Sequence, residues 1–145
     1  MIDYQLDPRR KIAITRVTGR LRFAELANHL HRLLRDPDFR VSFDALIVAA
    51  DREAVPPRSA VASLAPLLRA WSSRRHGARW AFVLPTAESG AFAERALREV
   101  NLQAVTFRCF LSETSAADWL LASRLAATAV PHVLSREAQT PAPPG

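Results

Sequence analysis

The stretch Asp44-Ala-Leu-Ile-Val-Ala-Ala-Asp51 carries polar residues only at its two ends. A continuous apolar run of this kind is typical of a central parallel strand that is covered on both faces of a sheet. Parallel strands need a crossover long enough to hold a helix, so this strand predicts helices before and after it in the chain. The flanking segments follow that rule in both directions.

Upstream of this strand, the sequence predicts a β-hairpin and then one amphipathic helix. Apolar and polar residues alternate over residues 2–6, Asp7-Pro8-Arg9-Arg10 offers turn chemistry, and a second extended pattern ends at Gly19. Apolar residues then recur at helical spacing from Phe23 to Asp36, where the helix ends because a residue before a proline avoids the helical region. Two antiparallel strands are therefore expected to open the domain.

Downstream of the central strand, helical and extended patterns continue to alternate. The segments are Ser59 to Arg75, Arg79 to Leu84, Ala91 to Val100, Val105 to Leu111 and Ala116 to Ala127. Pro66 is expected to kink or divide the first of these helices, because it lacks an amide proton and crowds the preceding turn. The sequence thus predicts an α/β domain: an N-terminal β-hairpin, then β-α repeats that form a mixed sheet of four or five strands with about four flanking helices.

The chain length and its C-terminal composition define the domain organisation. With 145 residues, the chain fits one domain with a sizeable core. We expect this domain to occupy residues 1–130. Residues 131–145 are rich in proline and alanine, and they hold too little apolar side chain to offset the entropy of ordering, so they are predicted to be a disordered tail.

The positive charge of the chain does not by itself predict a nucleic-acid partner. The net charge is +6, but of the 20 basic residues only Lys11 is a lysine, which together with the abundant alanine is typical of a GC-rich coding sequence. The densest basic cluster, around Arg74 and Arg75, falls where a helix is expected to end, and cations there are favoured by the helix dipole. We therefore expect no specific nucleic-acid binding.

The cysteine content and the N-terminus indicate the compartment. Cys109 is the only cysteine, which excludes an internal disulfide and fits a reducing environment. The N-terminus lacks the basic and apolar regions of a signal peptide, and no apolar run is long enough to span a membrane. These features predict a cytoplasmic protein without a membrane span.

The order of these elements resembles a known family. The pattern covers residues 2–125 and includes a hairpin ending in Val17-Thr18-Gly19, a strand ending in Asp51, and the closing Val105-Thr-Phe-Arg-Cys-Phe with Ala116-Ala117-Asp118-Trp119-Leu120. It is similar to the SpoIIAA-like, or STAS/SEC14-like, small bacterial proteins, whose relatives include anti-sigma-factor antagonists and cytoplasmic domains of anion transporters. The resemblance implies a noncatalytic domain for protein interaction and regulation, with a protein partner that the sequence does not identify.

The resemblance also places a candidate interaction or switch site at Asp51, Arg52 and Ser59. In one branch of the family, a serine at the start of the helix after the third strand is phosphorylated within an Asp-Ser-Ser/Thr-Gly-like motif. Ser59 is the nearest match by order, but it lacks the flanking aspartate, the second hydroxyl and the glycine. A phosphate would be favoured there by the helix dipole, whereas an unmodified serine would serve as an N-cap.

A second hypothesis is a carrier or sensor of a small apolar or amphipathic ligand, following the SEC14-like half of the resemblance. Leu64, Leu68 and Trp71 would line a cleft beneath the helix that contains Pro66. A well-packed core without a cavity would contradict this hypothesis. Separately, Ser89 and Gly90 are a candidate anion-binding turn, with backbone amides exposed at a helix start.

An enzyme is the least favoured class, because no catalytic or cofactor motif is present, and we expect neither a cofactor nor a bound metal. His29 and His31 lie two residues apart on one helix, so they point in different directions and are expected at the surface. Cys109 is expected to be an inert core residue. A pocket that held Asp51 near a histidine would favour catalysis. The exposed edge of the hairpin also predicts a homodimer.

Overall fold

The computed structural model describes residues 1–75, 77–102 and 104–125. The predicted tail at residues 131–145 and the histidines His76 and His132 lie outside the described residues. The predicted α/β fold is confirmed. The strands are β1 (Ile2–Asp7), β2 (Ile12–Val17), β3 (Asp44–Ala49), β4 (Arg79–Val83) and β5 (Thr106–Phe110), and the helices are α1 (Phe23–Arg35), α2 (Arg58–Ser73), α3 (Ala87–Val100) and α4 (residues 113–125). A single 3-10 turn, Arg52–Ala54, follows β3.

The five strands form one mixed sheet in sequential order, β1-β2-β3-β4-β5. β1 pairs antiparallel with β2 as a hairpin, and every other neighbouring pair is parallel. The hairpin turn is held by Asp7, whose Oδ1 accepts a hydrogen bond of 3.0 Å from the Arg10 backbone amide. β3 is the middle strand of the sheet, as its continuous apolar run predicts.

The helices are divided unequally between the two faces of the sheet. Consecutive parallel strands joined by right-handed crossovers place their helices on the same side. Accordingly, Leu33 of α1 and Trp71 of α2 pack in one cluster with sheet residues such as Ala45 and Trp80. α3 lies on the same side, where Ala96 and Leu97 line a space shared with α1 and α2. We call this side the three-helix face.

The opposite side, which we call the α4 face, is covered by the last helix. Ala116 and Leu120 of α4 are fully buried and pack against β3 and β4, where they contact the cluster that contains Leu46 and Ala81. Because successive side chains of a strand point to opposite faces, Ala45 and Leu46 contribute to different cores. This alternation explains why β3 needs apolar residues at every position.

A buried carboxylate ties the first residue of β3 to its neighbours. Asp44 is 2% exposed, and its Oδ1 accepts a hydrogen bond of 2.9 Å from the Arg79 backbone amide at the start of β4. Its Oδ2 lies 3.4 Å from an Nη of Arg124 in α4. Burial raises the pKa of Asp44, while these neighbours oppose that shift. Asp44 therefore ties the start of β4 to α4.

The structure corrects the expectations about the course and the start of α2. The helix is continuous from Arg58 to Ser73, so Pro66 does not divide it. Ser59 is not its N-cap, since Pro57 occupies that position and no side chain caps the helix. At the start of α4, the hydroxyl of Ser112 accepts the Ser115 amide at 3.1 Å, so Ser112 caps this helix.

In the part of the chain that the structure describes, no helix combines the length and the apolar character needed to cross a bilayer.

Candidate functional site

An apolar cavity of about 180 Å³ lies between the three-helix face of the sheet and the helices α1, α2 and α3. Small side chains supply part of its wall and leave space where larger ones would fill it: Ala13, Ala45, Ala49, Ala93 and Ala96. Protein interiors are normally close-packed, with few voids larger than a water molecule. For comparison, an apolar cavity of about 150 Å³ is large enough to take up benzene. The core of this domain therefore has room for a small organic molecule.

The structure brings the three predicted cleft residues together at this cavity. Leu64, Leu68 and Trp71 of α2 all line its wall. Their spacing of three and four residues puts them on one side of the helix, and one further step of four reaches Arg75, which lines the same cavity. The sequence had indicated only a helix-end cation at this position. Arg75 lies two residues past the end of α2, so helical spacing alone does not identify it as a cavity residue.

Arg75 is a buried cation at the cavity wall. Arg75 is 1% exposed. Its guanidinium carbon lies 5.2 Å from the Phe39 ring centroid and 5.5 Å from the Trp71 ring centroid. One Nη group donates to the Phe43 carbonyl, whereas the Nε–H has no hydrogen-bond partner in the described part of the chain. Burial lowers the pKa of Arg75 to about 10, so the side chain remains positively charged at neutral pH.

His29 is also buried at the cavity, which corrects the expectation of a surface histidine. It is 5% exposed and lies on the side of α1 that faces the sheet, close to Leu30 and Leu33 in the sequence. Its Nε2 is 3.2 Å from the Thr15 hydroxyl, and its Nδ1 has no hydrogen-bond partner within residues 1–75, 77–102 and 104–125. Burial, with a smaller contribution from the Arg32 charge, lowers the pKa of His29 to about 4. The imidazole is therefore neutral at physiological pH. His31, by contrast, is exposed as expected.

Two backbone amides donate hydrogen bonds to the carboxylate of Asp51. Its Oδ1 accepts the Ala54 amide at 2.9 Å and its Oδ2 accepts the Gly19 amide at 3.1 Å. Gly19 has a φ of 67°, a left-handed conformation that favours glycine. Asp51 thus joins the end of β2 to the turn after β3, and it does not line the cavity.

A shallow polar groove adjoins the cavity and contains two of the other predicted site residues. Arg52 and Ser89 both line it, whereas Ser59 is exposed and lies in the wall of neither. The groove also includes Glu88 and Arg95, and it shares three wall residues with the cavity: Val55, Pro56 and Phe92. The cavity and the groove are therefore contiguous near the carboxyl ends of β3 and β4.

The predicted anion-binding turn does not expose the amides that were expected. The Ser89 amide donates to Thr86 Oγ1 at 3.1 Å, and the Gly90 amide donates to the Thr86 carbonyl at 2.9 Å. The Ser89 hydroxyl in turn accepts the Thr86 amide at 3.1 Å, which completes a capping box. Both amides of the expected turn are thus engaged within the helix terminus.

The chemistry that this site offers is apolar enclosure with a few fixed polar groups. The cavity wall contains His29 but not Asp51, so it does not form the carboxylate-histidine pair that would have favoured catalysis. Cys109 in β5 is half-buried, and burial, together with the Glu94 charge, raises the pKa of its thiol to about 11. Within residues 1–75, 77–102 and 104–125, no group of three or more His, Cys, Asp and Glu side chains could hold a metal ion.

Comparisons with known proteins leave the family open. Neither protein-family models, nor curated proteins, nor solved structures gave a match to this chain. The similarity to SpoIIAA-like proteins therefore remains a prediction from the order of the elements, and the case for function depends on the cavity.

Proposed function

We propose that this chain is a noncatalytic binding module that carries or senses a small apolar or amphipathic molecule. The observation that supports the proposal is the cavity of about 180 Å³ on the three-helix face. Small-molecule sites are concave and mostly apolar, with a small number of polar groups that fix orientation. Here, the apolar wall is interrupted by Thr15, His29 and Arg75.

Binding is expected to be favourable because atoms of the cavity wall lack van der Waals contacts on the side that faces the cavity. Wall atoms that face a void lose the dispersion contacts that a close-packed core would supply. A ligand of matching size restores them, and the cavity is contiguous with a surface groove through Val55, Pro56 and Phe92. The expected ligand is therefore compact, about the size of one aromatic ring with a short substituent.

A second proposal is the regulatory interaction domain that the STAS-like order indicates. The observation in its favour is the exposed hydroxyl of Ser59 in the first turn of α2, where no side chain caps the helix. A phosphate on Ser59 would meet unpaired amides and the positive end of the helix dipole. Intact-mass measurement on protein from its own host tests it: a phosphate mapped to Ser59 would support a switch, and its absence under all growth conditions would contradict it.

We further propose that the protein acts in the cytoplasm and forms a homodimer. The single cysteine is compatible with a reducing compartment. β1 is an edge strand of the sheet, and an unpaired edge offers a surface for a second copy. Sedimentation or light scattering at several protein concentrations measures the assembly, and a monomer throughout would refute the dimer.

Binding of a neutral apolar probe tests the cavity proposal directly. Trp71 and Trp80 line the cavity, whereas Trp119 packs on the α4 face, so fluorescence of the first two should respond to toluene. We expect a saturable fluorescence change and a rise in melting temperature that grows with toluene concentration, because a ligand of the folded state stabilises it.

A cavity-filling variant provides the matched control. Ala96→Leu adds volume to the cavity wall and should abolish the toluene response without lowering stability, whereas Ala62→Leu changes an exposed position of α2 and should leave the response intact. If toluene fails to bind the wild-type protein, or if Ala96→Leu binds it as well as the wild type does, the cavity is not the binding site.

A further inference from the structure

Among the residues that the structure describes, Arg75 is a cation with neither solvent contact nor an ion-pair partner. Within the described residues, no carboxylate lies within 4.0 Å of its guanidinium, although the residue is only 1% exposed. Buried charges in proteins are normally paired or hydrogen-bonded, since removing a charge from water is costly. The contacts of Arg75 with Phe39, Trp71 and the Phe43 carbonyl compensate part of that cost without neutralising the charge.

The nearby acidic group is already engaged with another cation. The Asp44 charge acts on Arg75 through space, but its ion pair, at 3.4 Å, is with Arg124. Asp44 therefore does not neutralise Arg75 by direct contact, and among the described residues this cation at the cavity wall has no counterion within 4.0 Å.

The cavity is where a counterion for Arg75 could bind. Arg75 and Trp80 both line it, and each retains a buried N–H group, Nε and Nε1 respectively, without a hydrogen-bond partner among the described residues. Both groups are donors only, so they would be satisfied by an acceptor. Arg52 and Arg95, which line the adjoining groove, are exposed and can be solvated by water, so they do not need a counterion.

We propose that the ligand of this cavity is a small carboxylic acid with a compact apolar body, and that its carboxylate binds the guanidinium of Arg75. This inference rests on the proposed function of the cavity as a ligand site. The apolar body occupies the space beside Leu64 and Leu68, while the carboxylate oxygens accept from Arg75 and balance its charge. Arg75 thereby sets the charge selectivity of the site.

Benzoate and benzamide are suitable probes, because they share size and shape but differ in charge. Titration at pH 7, followed by tryptophan fluorescence, should show wild-type protein binding benzoate about tenfold or more tightly than benzamide, as a hydrogen bond to a charged group predicts. Arg75→Met retains the length of the side chain and removes its charge, so it should abolish or reverse this preference. Arg75→Lys restores the charge without the planar fork and should recover part of it.

Two controls separate this inference from the proposed function. Toluene should still bind Arg75→Met, because the neutral probe needs only an apolar space, and this binding shows that the variant keeps its cavity. Arg95→Met removes an exposed arginine of the groove and should leave the benzoate preference unchanged. If toluene binds but benzoate has no advantage over benzamide, or if the advantage is lost in Arg95→Met instead, the assignment to Arg75 is wrong while the cavity proposal stands.

The Arg75 Nε–H resonance gives a test that does not depend on a folded variant. In wild-type protein labelled with ¹⁵N, this resonance should shift on addition of benzoate and remain nearly unchanged with benzamide. A saturating benzoate titration that leaves it unshifted would overturn the proposal.

Discussion

The hydroxyl oxygen of Thr15 lies 3.2 Å from Nε2 of His29, inside the apolar layer between the sheet and α1. Tyr4 packs edge-on against the imidazole, with ring centroids 5.5 Å apart. This setting keeps His29 neutral and fixes its ring at the wall of the cavity. A residue that the sequence indicated as a surface histidine is therefore part of the core, and its titration is coupled to folding.

Acid should destabilise the protein through His29. Its pKa falls from 6.5 in the unfolded chain to about 4 in the folded one, so the unfolded state binds a proton first as the pH drops. The contribution of neutral His29 to the free energy of unfolding is fully present above about pH 6.5. It is lost progressively as the pH falls to about 4, by up to about 3 kcal/mol. Urea unfolding of wild type and His29→Gln across this range isolates the contribution, because other titrations cancel in the difference.

His31→Gln is the matched control for that experiment, since His31 is exposed on the same helix. It should leave the pH dependence unchanged. A His29 pKa near 6.5, measured by NMR in the folded protein, would contradict the expected linkage.

Asp51 should contribute to stability and not to ligand binding. Asp51→Ala leaves the amides of Gly19 and Ala54 without their carboxylate acceptor, and we expect a loss of about 1–3 kcal/mol in the free energy of unfolding. Glu53→Ala, at an exposed position two residues later, should cost less than about 0.5 kcal/mol. Chemical denaturation measures both variants. An Asp51→Ala protein of wild-type stability that no longer bound toluene would reverse this assignment.

The size of the cavity should control ligand size. Leu64→Ala removes part of the cavity wall and so enlarges the cavity. We expect it to cost about 2–5 kcal/mol in the free energy of unfolding and to shift the binding preference from toluene towards naphthalene. Leu120→Ala removes an equally buried leucine from the α4 face and should cost a similar amount without changing the preference. Calorimetric titration of both hydrocarbons distinguishes the variants. If Leu64→Ala and Leu120→Ala changed the hydrocarbon preference equally, the ligand would bind somewhere other than this cavity.

Pro66 should lower the stability of α2. It has no amide proton to bond to the Ala62 carbonyl, yet α2 continues through it. Pro66→Ala restores that donor at an exposed position, so we expect a gain of about 1–3 kcal/mol in the free energy of unfolding. Slower exchange of toluene should accompany the gain, because α2 forms one wall of the cavity. Ser63→Ala provides a control on the same helix, and a Pro66→Ala variant no more stable than Ser63→Ala would refute the expectation.

Cys109 should react slowly with alkylating reagents in the folded protein. Burial and the Glu94 charge raise its pKa to about 11, and the thiolate is the reactive form. With iodoacetamide at pH 8, we expect labelling at least about tenfold slower than in guanidinium-unfolded protein. Glu94→Gln should accelerate the reaction modestly, since it removes the smaller of the two causes. Equal rates in folded and unfolded protein would show that the thiol is activated.

Local patterns in the sequence were sufficient to predict the elements and their order. The continuous apolar run of β3, the alternation in the hairpin and the helical spacing from Phe23 each depend on neighbours within one element. The same spacing placed Leu64, Leu68 and Trp71 on one side of α2, and the structure assembles them at the cavity. The cap of α2 was predicted less well, because several nearby residues could fill that position, and Pro57 occupies it instead of Ser59.

The positions of charged and polar side chains in the core were not predictable in this way. Arg75 and His29 are of residue types that are mostly solvated or intermediate in exposure, and their burial follows from which elements pack over them. Likewise, the backbone amides that occupy Asp51 come from Gly19 and Ala54, and the bond to Gly19 spans 32 positions in the chain.

The sequence by itself determined the α/β fold, because the period of its apolar residues fixes each strand and helix, and their order restricts the topology. Only the tertiary structure decided that the three-helix face would enclose a cavity with Arg75 at its wall. The volume left between a sheet and its helices is a difference summed over side chains from many distant segments, and no local pattern records that sum.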